Sequence, residues 1–344
     1  MQRSCCRAAP WCSPRTQPVK RYRFFHLSSA DRSQRDGTDR PERHLDAYGL
    51  AVQTDIDLPG LHSTPPSPRP YTVTLRAAPV DELPSPLDGP RYLRNLQSYD
   101  DAAFAMLESP DGDVLFAYGR TTLFHLSADR ATLRYAVGSP REAAWQRVLL
   151  DTVLWTVSLL HGFELLHASA VIAEDGLIAL VARTGGGKST LAAEFLRRGA
   201  TLFADDIVAL QETADGLLAY PGPPLMNLPD AVDPAQVGAT VVAEFDDERW
   251  VAFERDSVGP TALGAVVLIN RGAGETARCV TTEGTSLELL PHAITLPHLN
   301  DRARRRFEIF SSVRATVPVL SLHADAAVPA SELADLIGHR LATL

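Results

Sequence analysis

The sequence has almost no lysine. Of its 33 Lys and Arg residues two are lysine, Lys20 and Lys188, and the other 31 are arginine. Where arginine supplies bare positive charge so freely, a persisting lysine marks a place where a compact ammonium is wanted. Cysteine is also scarce. Four in 344 residues exclude a disulfide scaffold, and a reducing, cytoplasmic setting is the expectation. Cys5, Cys6 and Cys12 cluster without a pair of Cys-x-x-Cys motifs, so no zinc site is expected there. No apolar run reaches the ~18 residues of a membrane-spanning helix. The triplets His-Arg-Asp and Asp-Phe-Gly are absent, which excludes a eukaryotic-type protein kinase.

What is present is a soluble, globular composition, 45% hydrophobic and 22% charged, long enough for two or three domains. The net charge of −9 is unevenly spread. Residues 1–45 carry 10 basic and 4 acidic residues, and the remainder 23 basic and 38 acidic. An acidic body argues against nucleic acid as the partner. Residues 1–45 have no hydrophobic period and read as a disordered basic tail. Their first 30 residues contain no acid, as in organellar transit peptides, but form no clear amphipathic helix.

Residues 46–138 read as a small β-rich domain. Tyr48–Val52, Tyr71–Leu75, Ala103–Glu108, Val114–Tyr118, Thr122–Leu126 and Thr132–Val137 have strand character, and prolines between Pro59 and Pro90 forbid a long helix. Ser139-Pro140-Arg141-Glu142 is a helix start, with Ser139 as N-cap and Pro140 in the first turn. That helix is expected over 139–161 with Gly162 as its stop, burying Trp145, Val148, Leu149, Val153 and Trp155. Beyond it, strand and helix are expected to alternate, the pattern of an α/β sheet in a domain spanning 139–344.

The chemistry centres on Gly176-Leu-Ile-Ala-Leu-Val-Ala-Arg-Thr-Gly-Gly-Gly-Lys-Ser-Thr190. A buried strand, Leu177–Val181, runs into a glycine loop that opens a helix ending at Gly199. That is the context of a Walker A motif. Glycines let backbone N–H groups approach phosphate oxygens, and the helix N-terminus adds partial positive charge. The cofactor-binding candidates are Ala182, Arg183, Thr184, Gly185, Gly186, Gly187, Lys188, Ser189 and Thr190. Lys188 is placed to reach the β- and γ-phosphates of ATP, and Ser189 to hold Mg²⁺. Ala182 stands where the strict motif has glycine. Downstream, Thr201–Ala204 is a short strand with Asp205 and Asp206 at its C-terminal end, where open α/β sheets bind ligands. Of Asp205 and Asp206, one is read as reaching the metal through water and the other as accepting a hydroxyl proton. Upstream, His167 lies on a strand, Glu164–Ile172.

These residues together resemble the kinase domain of bacterial HPr kinase/phosphorylase, a family that shares its core with phosphoenolpyruvate carboxykinase. The similarity rests on His167, Gly187-Lys188-Ser189 and Arg198-Gly199 through Asp205-Asp206, and spans about residues 164–210. It implies an α/β fold with that P-loop core, Asp206 as the base, His167 as an active-site residue and association into homo-oligomers. The family's Glu-Ile-Arg-Gly-Leu-Gly segment is missing. Tyr220–Pro229 stands in its place, with Asp230 and Asp233 as candidates for the missing acid. The chain thus resembles kinases of bacterial peptide-modification clusters more than the sugar-regulation enzyme. The expectation is ATP- and Mg²⁺-dependent transfer to a serine hydroxyl of a protein or peptide, with no membrane. A kinase for a small hydroxylated metabolite and a non-catalytic ATP-binding regulatory module are the alternatives. Arg183 and the arginines of 302–306 are candidates for meeting phosphoryl charge, the latter on a helix from about Asn300. A last helix, Glu332–Leu341, is expected with Ser331 as N-cap.

Overall fold

The structure is a computed structural model that describes residues 43–60, 69–84, 91–99, 102–119, 122–138, 143–214, 216–245, 248–254, 258–282 and 286–344. The basic tail, apart from its last few residues, and the Ser139–Glu142 helix start lie outside the described residues.

Eight strands come first: β1 (Arg43–Ala47), β2 (Leu50–Thr54), β3 (Tyr71–Ala77), β4 (Arg91–Tyr99), β5 (Ala102–Glu108), β6 (Val114–Tyr118), β7 (Thr122–Leu126) and β8 (Thr132–Val137). They form one sheet in the order β1-β2-β3-β8-β7-β6-β5-β4. The expected strand Tyr48–Val52 is divided differently. Tyr48 (φ 56°) and Gly49 (φ 88°) are both left-handed and form the two-residue turn between β1 and β2. Such a turn matches the twist of its strands only with positive φ at both centres. Gly49 also faces a ring: a Cβ there would sit 2.2 Å from Phe163 Cζ.

A long helix follows in three parts, α1 (Ala143–Val148), a π-helical turn (Leu149–Val153) and α2 (Leu154–Leu160). All five apolar positions expected to be covered are buried. Its C-terminal end is held by Arg302, which donates to Leu159 O and, at 2.8 Å, to Phe163 O.

The rest of the chain comprises β9 (Glu164–Ala173), β10 (Gly176–Val181), α3 (Lys188–Arg197), β11 (Thr201–Ala204), β12 (Ile207–Thr213), β13 (Gly216–Tyr220), β14 (Leu225–Pro229), β15 (Ala239–Phe245), β16 (Glu248–Phe253), β17 (Leu263–Arg271), β18 (Arg278–Thr281), β19 (Ala293–Ile294), α4 (Ala303–Thr316), β20 (Val319–Ala324) and α5 (Ala330–Leu341). The second sheet has the order β13-β12-β9-β10-β17-β20-β18, with β11 and β19 also pairing with β9. Only β10, β17 and β20 run parallel. The fold is therefore mixed α/β with several sheets, and strand–helix alternation is the lesser part of it. The reason is local. β9 and β10 are joined by a hairpin, which requires antiparallel pairing. The chain between Ala204 and Leu263 then folds as β12–β13 and a separate sheet, β14-β16-β15, with no α-helix among its described residues.

β10 is covered on both faces, as its unbroken apolar run predicts. Ile178 and Leu180 pack with α3 and α5, while Leu177, Ala179 and Val181 pack with Ile309, Phe310 and Val313 of α4. The largest core joins the first sheet to the second: Leu45, Phe116, Trp145 and Phe163 share it with Ile207, Tyr220 and Trp250. Among the described residues no helix is long and apolar enough to cross a membrane.

Two side-chain expectations are corrected. Ser331 does not cap α5. The helix starts two residues earlier than expected, at Ala330 after the extended Pro329, and has no side-chain cap. The arginine run of 302–306 splits by position. Arg304 pairs with Glu308 on the surface at 2.8 Å, whereas Arg302 and Arg306 clamp the fully buried Glu164 at 2.7 and 3.0 Å. Glu164→Ala would strand two guanidinium groups in low dielectric. The expected loss is about 3–5 kcal/mol of unfolding free energy in urea titration, and a loss under about 1 kcal/mol would refute the clamp.

Candidate functional site

The site lies where β10 ends and α3 begins. Between them residues 182–187 form the glycine loop, with Arg183, Thr184 and Gly185 exposed. Gly186 is tightly enclosed: a Cβ would lie 2.7 Å from Ala182 Cβ and 2.8 Å from Arg183 O. Gly187 (φ 90°) is the N-cap residue of α3 and offers no side chain for capping. The first amides of the helix are thus free of an intrahelical partner and face the loop's open side. An anion is what such an end takes. The small Ala182 is compatible with the loop, since its methyl packs against Gly186 rather than into the loop's opening.

Lys188 is the first residue of α3 and is only 6% exposed. Its Nζ lies 3.1 Å from His167 Nε2. His167 Nε2 is also 3.7 Å from Asp206 Oδ1. β9 supplies His167, α3 supplies Lys188, and the β11–β12 junction supplies Asp206, so three elements bring together three residues singled out from the sequence. Ser189 follows Lys188 on the first turn of α3, half-buried, with Thr190 exposed beside it.

The two adjacent aspartates sit in different environments. Asp205 is buried, and both its oxygens are engaged. Ser169 Oγ donates to Oδ1 at 2.6 Å and Asn227 N to Oδ2 at 3.0 Å. Burial and the neighbouring Asp206 charge push its carboxyl above the usual carboxylate range, against the pull of these hydrogen bonds and of Lys188. Asp206 is the opposite case. Burial would raise it, but contact with His167, the Lys188 charge and Asn227 outweigh that and hold it low. Its backbone is left-handed (φ 59°), closed by Ile207 N donating to Asp205 O at 2.7 Å. That turn is what splits the pair: it aims Asp205 inward and Asp206 toward His167. A non-glycine residue held in this region is strained, which is common where function fixes the geometry.

Asp230 and Asp233 are otherwise employed. Asp230 accepts from Arg249 at 3.3 Å, and Asp233 caps a 3₁₀ turn through Ala235 N at 3.0 Å. The acid that does join the site is Asp151, on the π turn before α2. It lines a water-sized crevice with Tyr48, Asp205, Asp206, Asn227 and Trp250. Burial raises its carboxyl to about 8, opposed by Arg147 and reinforced by Asp206, Asp205 and Glu248. Sequence reasoning missed Asp151, Asn227 and Trp250. A lone acid inside the apolar run Val148–Leu154 was the available signal for the first.

The raised Asp151 fixes a pH dependence. An unfolded chain loses this proton near the ordinary carboxylate value, while the folded chain keeps it to about pH 8. Between those values the folded state binds more protons, so stability falls as pH rises and levels off above that window. Asp151→Asn removes the slope. It is expected to be more stable than the parent by ~2–4 kcal/mol at about pH 8.5 and by much less at about pH 5, read by urea denaturation. Equal gains at both would contradict the shift.

Among the described residues no group of three or more His, Cys, Asp or Glu side chains is arranged to hold a metal. A Mg²⁺ ion bound with a nucleotide does not need one, because it keeps waters and takes phosphate oxygens with one or two protein ligands. Ser189 beside the loop fits that requirement, and the enclosed Gly186 with the uncapped helix end fits a polyphosphate.

No family model matches the chain, and no curated protein matches it. Among solved structures it is similar to the Hpr(Ser) kinase/phosphatase from Coxiella burnetii, with 12% identity and a TM-score of 0.28, over 52% of this chain and 92% of that one. A superposition that loose carries no weight for fold or function, and the geometry of the site stands by itself.

Proposed function

We propose that the chain is a Mg²⁺-dependent kinase that transfers the γ-phosphoryl group of ATP to a serine or similar hydroxyl of a protein or peptide. One observation carries this reading: a lysine at the uncapped start of α3, behind a glycine loop, lies 3.1 Å from a histidine that is itself 3.7 Å from an aspartate. Phosphoryl transfer needs charge neutralisation and a positioned hydroxyl more than covalent chemistry. In this reading the loop of Ala182–Gly187 wraps the phosphates, with Arg183 and Thr184 at its exposed rim. Lys188 neutralises the β- and γ-phosphates, and Ser189 and Thr190 lie at the metal side. Mg²⁺, when bound, would screen the phosphate charge, with Ser189 as its protein ligand; Asp205, expected at the metal, is instead turned inward with both oxygens engaged and supports the turn that carries Asp206.

His167 lies between the two charged groups of the site, 3.1 Å from Lys188 Nζ and 3.7 Å from Asp206 Oδ1. In this reading Lys188 would meet the phosphates, and His167 would position the Asp206 carboxylate. Asp206 orients the acceptor hydroxyl and takes its proton. Its lowered pKa keeps it ionised for that work. The test is incubation of the full chain with ATP, Mg²⁺ and peptides encoded beside its gene, read by mass spectrometry. Phosphate-sized mass gain on a peptide supports the reading. ATP binding without transfer to any acceptor would leave a regulatory module instead.

A further inference from the structure

The crevice beside Asp206 holds three polar atoms that find no hydrogen-bond partner among the described residues: Asp151 Oδ2, Asn227 Oδ1 and Trp250 Nε1. Each is buried, and Trp250 is 0% exposed. An unpaired buried group costs on the order of 1–3 kcal/mol. The three residues that carry them, on the π turn, β14 and β16, all line the same crevice. Asp151 does face Arg147 Nε, but at 3.6 Å, beyond hydrogen-bond reach. The orientation of Asn227 is set from outside the crevice. Its Nδ2 turns to Asp206 Oδ2 at 3.5 Å and its backbone N to Asp205, which leaves Oδ1 facing in.

The chemistry of these atoms is selective. Trp250 Nε1 only donates, and Asn227 Oδ1 only accepts. A single occupant must therefore accept and donate at once, which a hydroxyl does and an ammonium or carboxylate does not. The space is one water wide, and Leu225 and Met226 close its apolar side. A space of that size favours a hydroxyl on an unbranched carbon over one flanked by a methyl group or carried on a phenol ring.

We propose that this crevice seats the hydroxyl of the phosphoryl acceptor, an unbranched –CH₂OH group of the serine kind, held between Trp250 Nε1 and Asn227 Oδ1 with Asp151 as third contact. The inference rests on the kinase reading and deepens it. It names residues outside the loop as the ones that select the acceptor, and it places serine ahead of threonine and tyrosine.

The experiment observes the indole N–H of Trp250 in the full-length protein by ¹H–¹⁵N NMR. The chain has 4 tryptophans, so its indole region is simple. Trp250→Phe assigns the resonance, and Trp11→Phe, Trp145→Phe and Trp155→Phe assign it by elimination if that variant misfolds. The probe is N-acetyl-L-serinamide at millimolar concentration, with N-acetyl-L-threoninamide and N-acetyl-L-alaninamide as comparators. The serine probe is expected to move the Trp250 proton downfield, and neither comparator is. Asn227→Ala is expected to weaken the response about tenfold in concentration. No movement with the serine probe, as for a crevice holding only a fixed water, overturns the proposal, and so does equal movement with the alanine probe. ATP affinity is measured on the same sample. A Trp250 response without ATP binding keeps the seat and removes the kinase reading. ATP binding and peptide phosphorylation with a silent Trp250 remove the seat alone.

Discussion

Lys188→Arg is expected to lower phosphoryl transfer by at least ~10²–10³-fold, the loss typical of removing one well-aimed charge donor from a transition state. The charge is unchanged, so the effect isolates shape. Lys188 is nearly buried, and its Nζ lies 3.1 Å from a histidine nitrogen. A planar guanidinium is wider and presents its donors in a fixed fork. It would press on His167 before reaching between two phosphates. The control is the fold: circular dichroism and the urea midpoint of the variant should stay near those of the parent. A chain that uses arginine at nearly every other basic position offers a clear comparison, because nothing in its composition disfavours arginine here. Transfer at parental rates would refute the role given to Lys188.

The second large effect is at Asp206. Asp206→Asn is expected to reduce transfer by ~10²–10⁴-fold while ATP affinity stays within a few-fold. Asparagine is the right substitution for a backbone reason. Asp206 has φ 59°, and among non-glycine residues Asn tolerates the left-handed region best. An alanine would add backbone strain to the loss of the carboxylate and confuse the two. Equal loss of ATP binding and transfer would show that Asp206 supports the loop and not the acceptor. In the proposed reading the two variants would separate the halves of the site, Lys188 on the donor side and Asp206 on the acceptor side.

The parts of the site that could be read in the sequence are those whose partners are close in the chain. The loop, Lys188 and Ser189 are contiguous, and Asp205-Asp206 ends the next strand. Each therefore leaves a local pattern of glycines, an apolar run and a helix start. The β10 strand was legible for the same reason, since burial on both faces needs an unbroken apolar run. Asp151, Asn227 and Trp250 meet only through tertiary structure, and no spacing rule connects them. Arg302 and Arg306 look like surface charge until Glu164, far earlier in the chain, is seen beneath them. Tyr48 misled for a different reason. Tyrosine favours strands, and the turn it occupies is set by the Gly49–Phe163 contact and by its own backbone bond to Pro221 O at 2.7 Å.

That turn has a kinetic consequence. Tyr48 O accepts from Ser158 Oγ at 2.6 Å, Tyr48 N donates to Pro221 O, and the Tyr48 ring lines the same crevice as Trp250. The crevice thus depends on contacts between residues roughly 100 to 200 positions apart, the kind that slow folding because loop closure precedes any gain. The glycine loop needs mainly β10 and α3, which adjoin it. The two halves of the site should mature in order during refolding. Amides of α3 should gain protection from pulsed hydrogen exchange before those of β14 and β16, and simultaneous protection would contradict this. A chain caught between the two stages has a finished anion cradle and no finished wall opposite it. Grasp of a nucleotide would then precede the competence to use it.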